Sequence, residues 1–256
     1  IALGSFEVSP FELARAYAII ANGGKDVIPF SVRSVKDRNG RVLENNEEEI
    51  TALIRKREEN GTIQVLQPAT AQIMISLLQS VISSGTGSAA SIGRAAAGKT
   101  GTTNNWKDAW FCGFSPSLTT CIWMGYDKLG LSLGIGQAGG AVVAPAWGDY
   151  MRDALRNDEG FGFPQYAALS EKQVCAISGL PLSSSCRNSI SEVFIPGTEP
   201  DEECTMCRDG LHEMKVLQKG PRENISGNQK QSIMKNIKKK KGADRILDKV
   251  GNDLLN

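Results

Sequence analysis

The sequence has 256 residues, of which 41% are hydrophobic, and a formal net charge of +1. This length is sufficient for one hydrophobic core together with a small additional unit. The near-neutral charge argues against a dedicated nucleic-acid-binding protein. No stretch reaches the roughly 18 apolar residues that a membrane-spanning helix needs.

Charge is concentrated at the C-terminal end. From Glu213 onward there are 11 Lys or Arg residues and 5 Asp or Glu residues, including the run Lys238–Lys241. Few large apolar residues accompany them, so residues 213–256 cannot bury enough surface to offset the chain entropy of folding. We predict a basic, disordered tail, and a solvated end is favoured over a specific anionic partner.

The sequence begins at Ile1, with an apolar segment and without a signal peptide. Natural chains rarely begin in the middle of a pattern. We therefore expect that the protein has a further part N-terminal to Ile1, and that any membrane anchor belongs to that missing part.

The predicted elements of the first half start with a helix from Ser9, where Ser9 and Glu12 form a capping box and Pro10 takes the first helical position. Asn22-Gly23-Gly24 ends this helix. A hairpin is predicted around Asn39-Gly40, between the segments 30–37 and 41–43. Residues 44–49 are predicted to be an acidic loop.

The middle of the chain predicts further helices and short strands. A helix is expected from Pro68 to Ser83, and another from Pro145 to Arg156. Three strands are expected between them, at 94–103, 108–114 and 119–126. Helices mixed with antiparallel strands in this order indicate an α+β domain.

The segment most informative about function is Gly98-Lys99-Thr100-Gly101-Thr102-Thr103. With Gly93 it matches a Walker A nucleotide-binding pattern literally, but Gly101 and the following asparagines oppose the helix that this pattern requires. The alternative is an edge strand bearing Lys-Thr-Gly, a motif of penicillin-binding proteins and serine β-lactamases. A cationic lysine and a hydroxyl can hold a peptide carboxylate, while the strand edge pairs with an extended peptide.

The wider sequence resembles class A penicillin-binding proteins over residues 1 to about 212. The similar blocks occur in the same order along the chain: Ala2-Leu3-Gly4-Ser5, Glu7-Val8-Ser9-Pro10, Ala14-Arg15-Ala16-Tyr17-Ala18, Asn22-Gly23-Gly24, Gly85-Thr86-Gly87, Ala97 to Thr103, Asp108-Ala109-Trp110-Phe111, Gly139-Gly140, Ala144-Pro145, Trp147, and Phe194 to Pro200 ahead of Cys204. The resemblance implies an incomplete transpeptidase domain of the penicillin-binding-protein and serine β-lactamase fold, an antiparallel sheet with helices. Residues 1–165 would be its C-terminal portion, 166–212 a small loop-rich cysteine-containing region, and 213–256 the tail.

The resemblance also implies a function, the cross-linking of peptidoglycan on the extracytoplasmic side of a bacterial membrane. A serine attacks the stem peptide at D-Ala-D-Ala, and β-lactam antibiotics acylate the same serine. Lys99 and Thr100 would hold the terminal carboxylate, Gly101 would give the substrate access to the strand, and the Thr102 N–H would be an oxyanion-hole donor. No cofactor is implied.

The serine nucleophile itself is absent from this sequence. Family members carry Ser-x-x-Lys and Ser-x-Asn before Lys-Thr-Gly, and nothing before Lys99 matches either. Ser232-Ile233-Met234-Lys235 and Ser226-Gly227-Asn228 match only as strings in the tail, and we treat them as chance. We expect this chain to be inactive alone, with its partners being the missing N-terminal half, which includes a glycosyltransferase domain, the stem peptide and β-lactams. The only histidine, His212, lies near the end that we predict to be disordered, so we do not expect a Ser-His-Asp site.

Six cysteines form candidate pairs. Cys112 and Cys121 would face each other across two strands, either bonded or as two buried thiols. Cys175, Cys186, Cys204 and Cys207 lie in the C-terminal region, where four such residues can ligate zinc. For an exported domain we favour disulfides of undetermined connectivity over zinc, and predict no metal.

Two other function classes compete with an acyl-transfer enzyme. One is a non-catalytic remnant or module that binds peptidoglycan peptides through Lys99 and Thr100. The other is a serine β-lactamase or carboxypeptidase relative, which the blocks at 7–10 and 194–200 oppose.

Overall fold

The computed structural model describes residues 7–128, 130–160 and 162–207. The chain forms two compact units. The main unit contains the described residues up to Gln173 together with Ser191–Pro200, and the cysteine unit contains Val174–Ile190 and the described residues from Asp201. The predicted basic tail, His212 and the two serine motifs within that tail lie outside the described residues.

The first helix, α1 (Pro10–Ala21), begins where its capping signal predicts. The Ser9 hydroxyl accepts a hydrogen bond from the Glu12 N–H at 3.2 Å, and the Ser9 N–H donates to the Glu12 carboxylate at 2.8 Å. Both bonds satisfy N–H groups that a helix start leaves without partners. The hydrogen bonds from Ser9 also hold the pKa of the Glu12 carboxyl below its ordinary value.

The predicted hairpin forms from β1 (Ser34–Lys36) and β2 (Val42–Asn45), paired antiparallel. The predicted acidic loop at 44–49 is wrong, because helix α2 (Asn46–Glu59) begins inside it. The Asn45 side chain accepts from the Glu48 N–H at 3.3 Å and so caps this helix. Three glutamates in the first turn and two basic residues in the last turn suit the helix dipole.

A buried carboxylate links α1 and α2. Asp26 accepts hydrogen bonds from Arg57 and Arg15, each at 2.8 Å, and from the Val27 N–H at 2.9 Å. Its side chain is 8% exposed. The Arg57 hydrogen bond, followed by the Arg15 bond, holds the pKa of Asp26 below its ordinary value despite burial.

The remaining elements of the main unit follow the predicted order. Helix α3 (Pro68–Ser83) precedes three antiparallel strands, and α4 (Ala144–Ala154) follows them. The strands are β3 (Ala97–Thr102), β4 (Asp108–Phe114) and β5 (Thr119–Gly125), in the spatial order β3-β4-β5. Two further strands, β6 (Ser170–Cys175) and β7 (Ser189–Phe194), lie toward the end of the described chain.

Buried apolar side chains cover both faces of the β3-β4-β5 sheet. On one face Phe111 packs against Trp147 of α4, with ring centroids 5.0 Å apart. On the other face Phe114 packs with Ile75 and Leu78 of α3. Because both faces are covered, a ligand can meet this sheet at an edge strand, and β3 is one of its two edge strands. This mixed architecture confirms the predicted α+β class.

Among the described residues, no helix combines the length and apolar character needed to cross a bilayer.

Candidate functional site

The four predicted substrate-binding residues, Lys99, Thr100, Gly101 and Thr102, are consecutive in β3. In the part of the sheet that the structure describes, β3 is an edge strand. The Walker A alternative is wrong, since Lys99 and Thr100 lie within a strand that continues through a hairpin into β4, and not at the start of a helix.

The register of the sheet determines which backbone groups of β3 are available. Cys112 of β4 lies opposite Cys121 of β5 with a Cα–Cα distance of 4.1 Å, the spacing of a non-hydrogen-bonded pair. Cys112 therefore turns its N–H and C=O toward Lys99, its partner in β3. By alternation, Thr100 and Thr102 direct their N–H and C=O groups away from β4, toward the open edge.

The Lys99 ammonium lies beside the Thr100 hydroxyl. Lys99 Nζ donates to the Thr100 carbonyl at 3.1 Å and to Thr100 Oγ1 at 3.3 Å. The Lys99 side chain is exposed, so its third N–H can be directed outward. A positive charge and a hydroxyl are thus held together at the edge, an arrangement suited to an anionic ligand.

Thr86, to which we assigned no role from the sequence, lies beside this pair. The hydroxyls of Thr86 and Thr100 lie 2.9 Å apart, within hydrogen-bond distance. When Thr86 is the donor, the proton of Thr100 is free for a ligand. The Gly85-Thr86-Gly87 block, already part of the family resemblance, was the signal that could have identified it.

A second unassigned feature is the π-helical turn Gly139–Val143, which lies against β3. The Gly139 N–H donates to Thr102 Oγ1 at 3.0 Å. A Cβ at Gly139 would lie 2.3 Å from the Trp110 carbonyl oxygen and 2.4 Å from that of Gly101. Only glycine allows this close approach, which fixes the Thr102 side chain and leaves its backbone at the edge.

Gly101 also meets a close neighbour. A Cβ on Gly101 would lie 3.0 Å from the Trp110 Cβ, its directly opposite residue in β4. Glycine at this position therefore permits close packing against Trp110, and it leaves no side chain that would obstruct a ligand at the strand edge.

The β3–β4 connection is held by a carboxylate to which we assigned no catalytic role. Asp108 accepts from the Thr103 hydroxyl at 2.8 Å and from Trp123 Nε1 at 3.0 Å. Asn105 and Trp106 adopt positive φ values of 60° and 51°, which are rare for residues other than glycine. Backbone strain of this kind persists only where the surrounding structure enforces it. The two strained residues lie just after the end of β3, the strand that carries the candidate site.

The six cysteines divide into two sets. Cys112 and Cys121 are joined by a disulfide, and Cys112 lies opposite Lys99 in the sheet. Cys175, Cys186, Cys204 and Cys207 are free thiols, so the structure contains none of the disulfides that we favoured for them. Their four sulfur atoms lie close to one another instead. The spacing of the cysteines along the sequence could not have revealed this.

The fold and this strand edge define a class of protein, and comparisons with known proteins agree. The family model of the penicillin-binding protein transpeptidase domain matches residues 1–152. The model of the penicillin-binding protein 1A C-terminal domain matches residues 165–209. This chain belongs to the penicillin-binding protein transpeptidase family.

Individual relatives are penicillin-binding proteins 1A. The chain is 37% identical to that of Aquifex aeolicus over 210 residues, covering 80% of this chain and 26% of the relative. It is 39% identical to that of Neisseria gonorrhoeae over 164 residues, covering 63% and 20%. The chain therefore spans about a quarter or less of the length of these relatives.

Solved structures are similar too. Penicillin-binding protein 1A from Haemophilus influenzae matches with a TM-score of 0.65 and 29% identity, covering 79% of this chain and 34% of the other. PonA1 from Mycobacterium tuberculosis in complex with penicillin V matches with a TM-score of 0.54 and 28% identity, covering 64% and 43%.

Proposed function

We propose that this chain forms the ligand-binding strand of a DD-transpeptidase that cross-links peptidoglycan, in a protein whose serine nucleophile lies N-terminal to Ile1. The observation that carries this proposal is the open edge of β3, where an ammonium, a hydroxyl and outward backbone groups come together. The family membership and the length of the relatives support it.

Each residue of the edge has a role in this proposal. Lys99 Nζ and Thr100 Oγ1 bind the terminal carboxylate of a D-Ala-D-Ala stem peptide, or the carboxylate of a β-lactam. Thr86 and Gly139 are positioning residues, because they hold the side chains of Thr100 and Thr102. A penicillin complex of the similar protein PonA1 supports a β-lactam as ligand.

The chemistry is serine acyl transfer. The serine oxygen forms a bond to the penultimate D-Ala carbonyl carbon, the peptide bond to the terminal D-Ala breaks, and that D-Ala leaves with a proton on its amine. An amine of a neighbouring strand then takes the acyl group and the serine recovers its proton. The Thr102 N–H donates to the oxyanion of each tetrahedral intermediate, and such a contact is worth about 3 kcal/mol in other acyl-transfer enzymes.

The larger protein is proposed to be a bifunctional synthase. Its N-terminal part would carry a peptidoglycan glycosyltransferase domain and a membrane anchor, and this chain would lie on the extracytoplasmic face of the cell membrane. No metal or cofactor takes part in the acyl transfer.

The experiment is acylation by a fluorescent penicillin, followed by mass spectrometry of the labelled peptide. We expect the full-length protein to be labelled on a serine N-terminal to Ile1, and this chain alone to remain unlabelled. An adduct on any serine of residues 1–256 would contradict this division of the site. An unlabelled full-length protein that binds stem peptide would favour a non-catalytic peptide-binding module.

A further inference from the structure

A cluster of four sulfur atoms lies in the cysteine unit, away from any role in the proposed acyl transfer. The Sγ atoms of Cys175, Cys186, Cys204 and Cys207 all lie within 4.8 Å of one another. Cys175 ends β6, Cys186 follows in a turn, and the other two belong to the segment after Asp201. The cluster is therefore built from three separate segments of the chain, two of which contribute one sulfur atom each while the third contributes two.

The distances between the sulfur atoms fit a metal better than a disulfide. Cys207 Sγ lies 3.6 Å from both Cys175 Sγ and Cys204 Sγ. A tetrahedral zinc ion with Zn–S bonds of about 2.3 Å separates its sulfur ligands by about 3.8 Å. A disulfide would pair Cys207 with one neighbour at about 2.05 Å, and the structure favours neither.

A polar side chain lies beside the sulfur cluster. The Ser183 hydroxyl lies 3.4 Å from Cys186 Sγ. Hydrogen bonds of this kind orient metal ligands and stabilise the negative charge of thiolates.

Backbone hydrogen bonds hold the three stretches in place. The Cys175 N–H donates to the Leu180 carbonyl at 2.8 Å, across a turn in which Gly179 has a φ of +71°. The Cys204 N–H donates to the Pro181 carbonyl at 2.9 Å, and the Cys186 N–H donates to the Ser183 carbonyl at 3.0 Å. The thiols are therefore fixed by the fold, as a pre-formed site requires.

The cysteine unit also has few buried apolar side chains among its described residues. Its buried side chains among the described residues are Val174, Ser183 and two of the cysteines. A unit with so small a core needs covalent or metal cross-links to be stable. Cys175 and Cys204 are fully buried, whereas Cys186 is partly exposed.

We propose that Cys175, Cys186, Cys204 and Cys207 bind one Zn²⁺ ion as a closed structural site. Four thiolate ligands leave no open coordination position, so the ion stabilises the fold and does not take part in catalysis. This assignment replaces our expectation of disulfides and no metal. It is independent of the proposed transpeptidase function, since it concerns another unit of the chain.

The test is the metal content of the complete 256-residue chain, purified under reducing conditions with zinc and then freed of excess metal. We expect about one zinc ion per chain, measured by inductively coupled plasma mass spectrometry. Cys204→Ser should lower this content about tenfold or more, and Cys186→His should retain it because Cys₃His sites also bind zinc. A double variant of the main unit, Cys112→Ser with Cys121→Ser, is the matched control and should keep one zinc.

A second measurement covers the case in which Cys204→Ser fails to fold. Replacing zinc by Co²⁺ in the unmodified chain should give the absorption of a tetrahedral thiolate site, and zinc should protect four thiols from alkylation. A chain without zinc, with two disulfides among these four cysteines, would overturn the proposal. So would a bound metal other than zinc, or equal zinc content in Cys204→Ser and the unmodified chain.

Discussion

Gly139→Ala tests whether the turn at Gly139–Val143 needs close contact with β3. The added Cβ would lie 2.3 Å from the Trp110 carbonyl oxygen and 2.4 Å from the Gly101 carbonyl oxygen. Ordinary contacts between such atoms begin near 3.5 Å, so the turn must move by about 1 Å. Overpacking of this kind costs about 1–3 kcal/mol, and we expect the upper end because backbone atoms of paired strands cannot yield easily.

The assay is thermal unfolding followed by circular dichroism. For a chain of this size, a loss of about 3 kcal/mol lowers the midpoint temperature by roughly 6–12 °C. Gly162→Ala is the matched control, since a Cβ there meets no atom within 4 Å. If the two variants unfold within about 1 °C of each other, the packing argument for Gly139 is refuted.

Two further substitutions test the carboxylate of Asp26 and the hydrophobic core around Phe111. Asp26→Asn should lower the free energy of unfolding at pH 7 by about 2 kcal/mol, measured in urea, because two arginines lose a charged partner. Since the pKa of Asp26 is held below its ordinary value of 3.8, the wild-type advantage is present above about pH 4. It should shrink as the pH falls further, and a pH-independent difference would contradict this origin. Phe111→Ala should cost about 3–5 kcal/mol in the same assay, whereas Phe11→Ala, at a side chain 64% exposed, should cost less than about 0.5 kcal/mol. Equal losses would contradict the assignment of Phe111 to the core.

Local signals in the sequence were sufficient for most helices and strands. The capping box at Ser9 predicted the start of α1, and Pro68 and Ser83 were predicted as the bounds of α3. Helix α2 was missed because its apolar residues are few among many charges, so its periodicity is weak. The Asn45 cap followed by Glu48 was the available signal for that helix.

The candidate site could be predicted only in part. Lys99 and Thr100 were identified because their motif is contiguous in the chain. Thr86 and Gly139 contact Thr100 and Thr102 across 14 and 37 positions, and such contacts depend on packing that no local pattern encodes. The four cysteines show the same limit, because their spacing in the sequence is compatible with both disulfides and zinc, whereas the proximity of all four sulfur atoms is a property of the folded chain.

The most direct test of the central claim, that Lys99 holds the carboxylate of the ligand, is the rate of penicillin acylation of the full-length protein. Lys99→Ala removes the ammonium at the β3 edge, while Lys107→Ala removes an exposed lysine of the adjacent hairpin as a control. A hydrogen bond to a charged group is worth about 1.5–3 kcal/mol, which corresponds to a loss of roughly 10- to 150-fold.

We predict that Lys99→Ala lowers the second-order acylation rate constant by this factor at unchanged thermal stability, and that Lys107→Ala leaves it within about twofold. Equal rates for Lys99→Ala and the wild type would contradict the account, because the carboxylate would then be bound elsewhere.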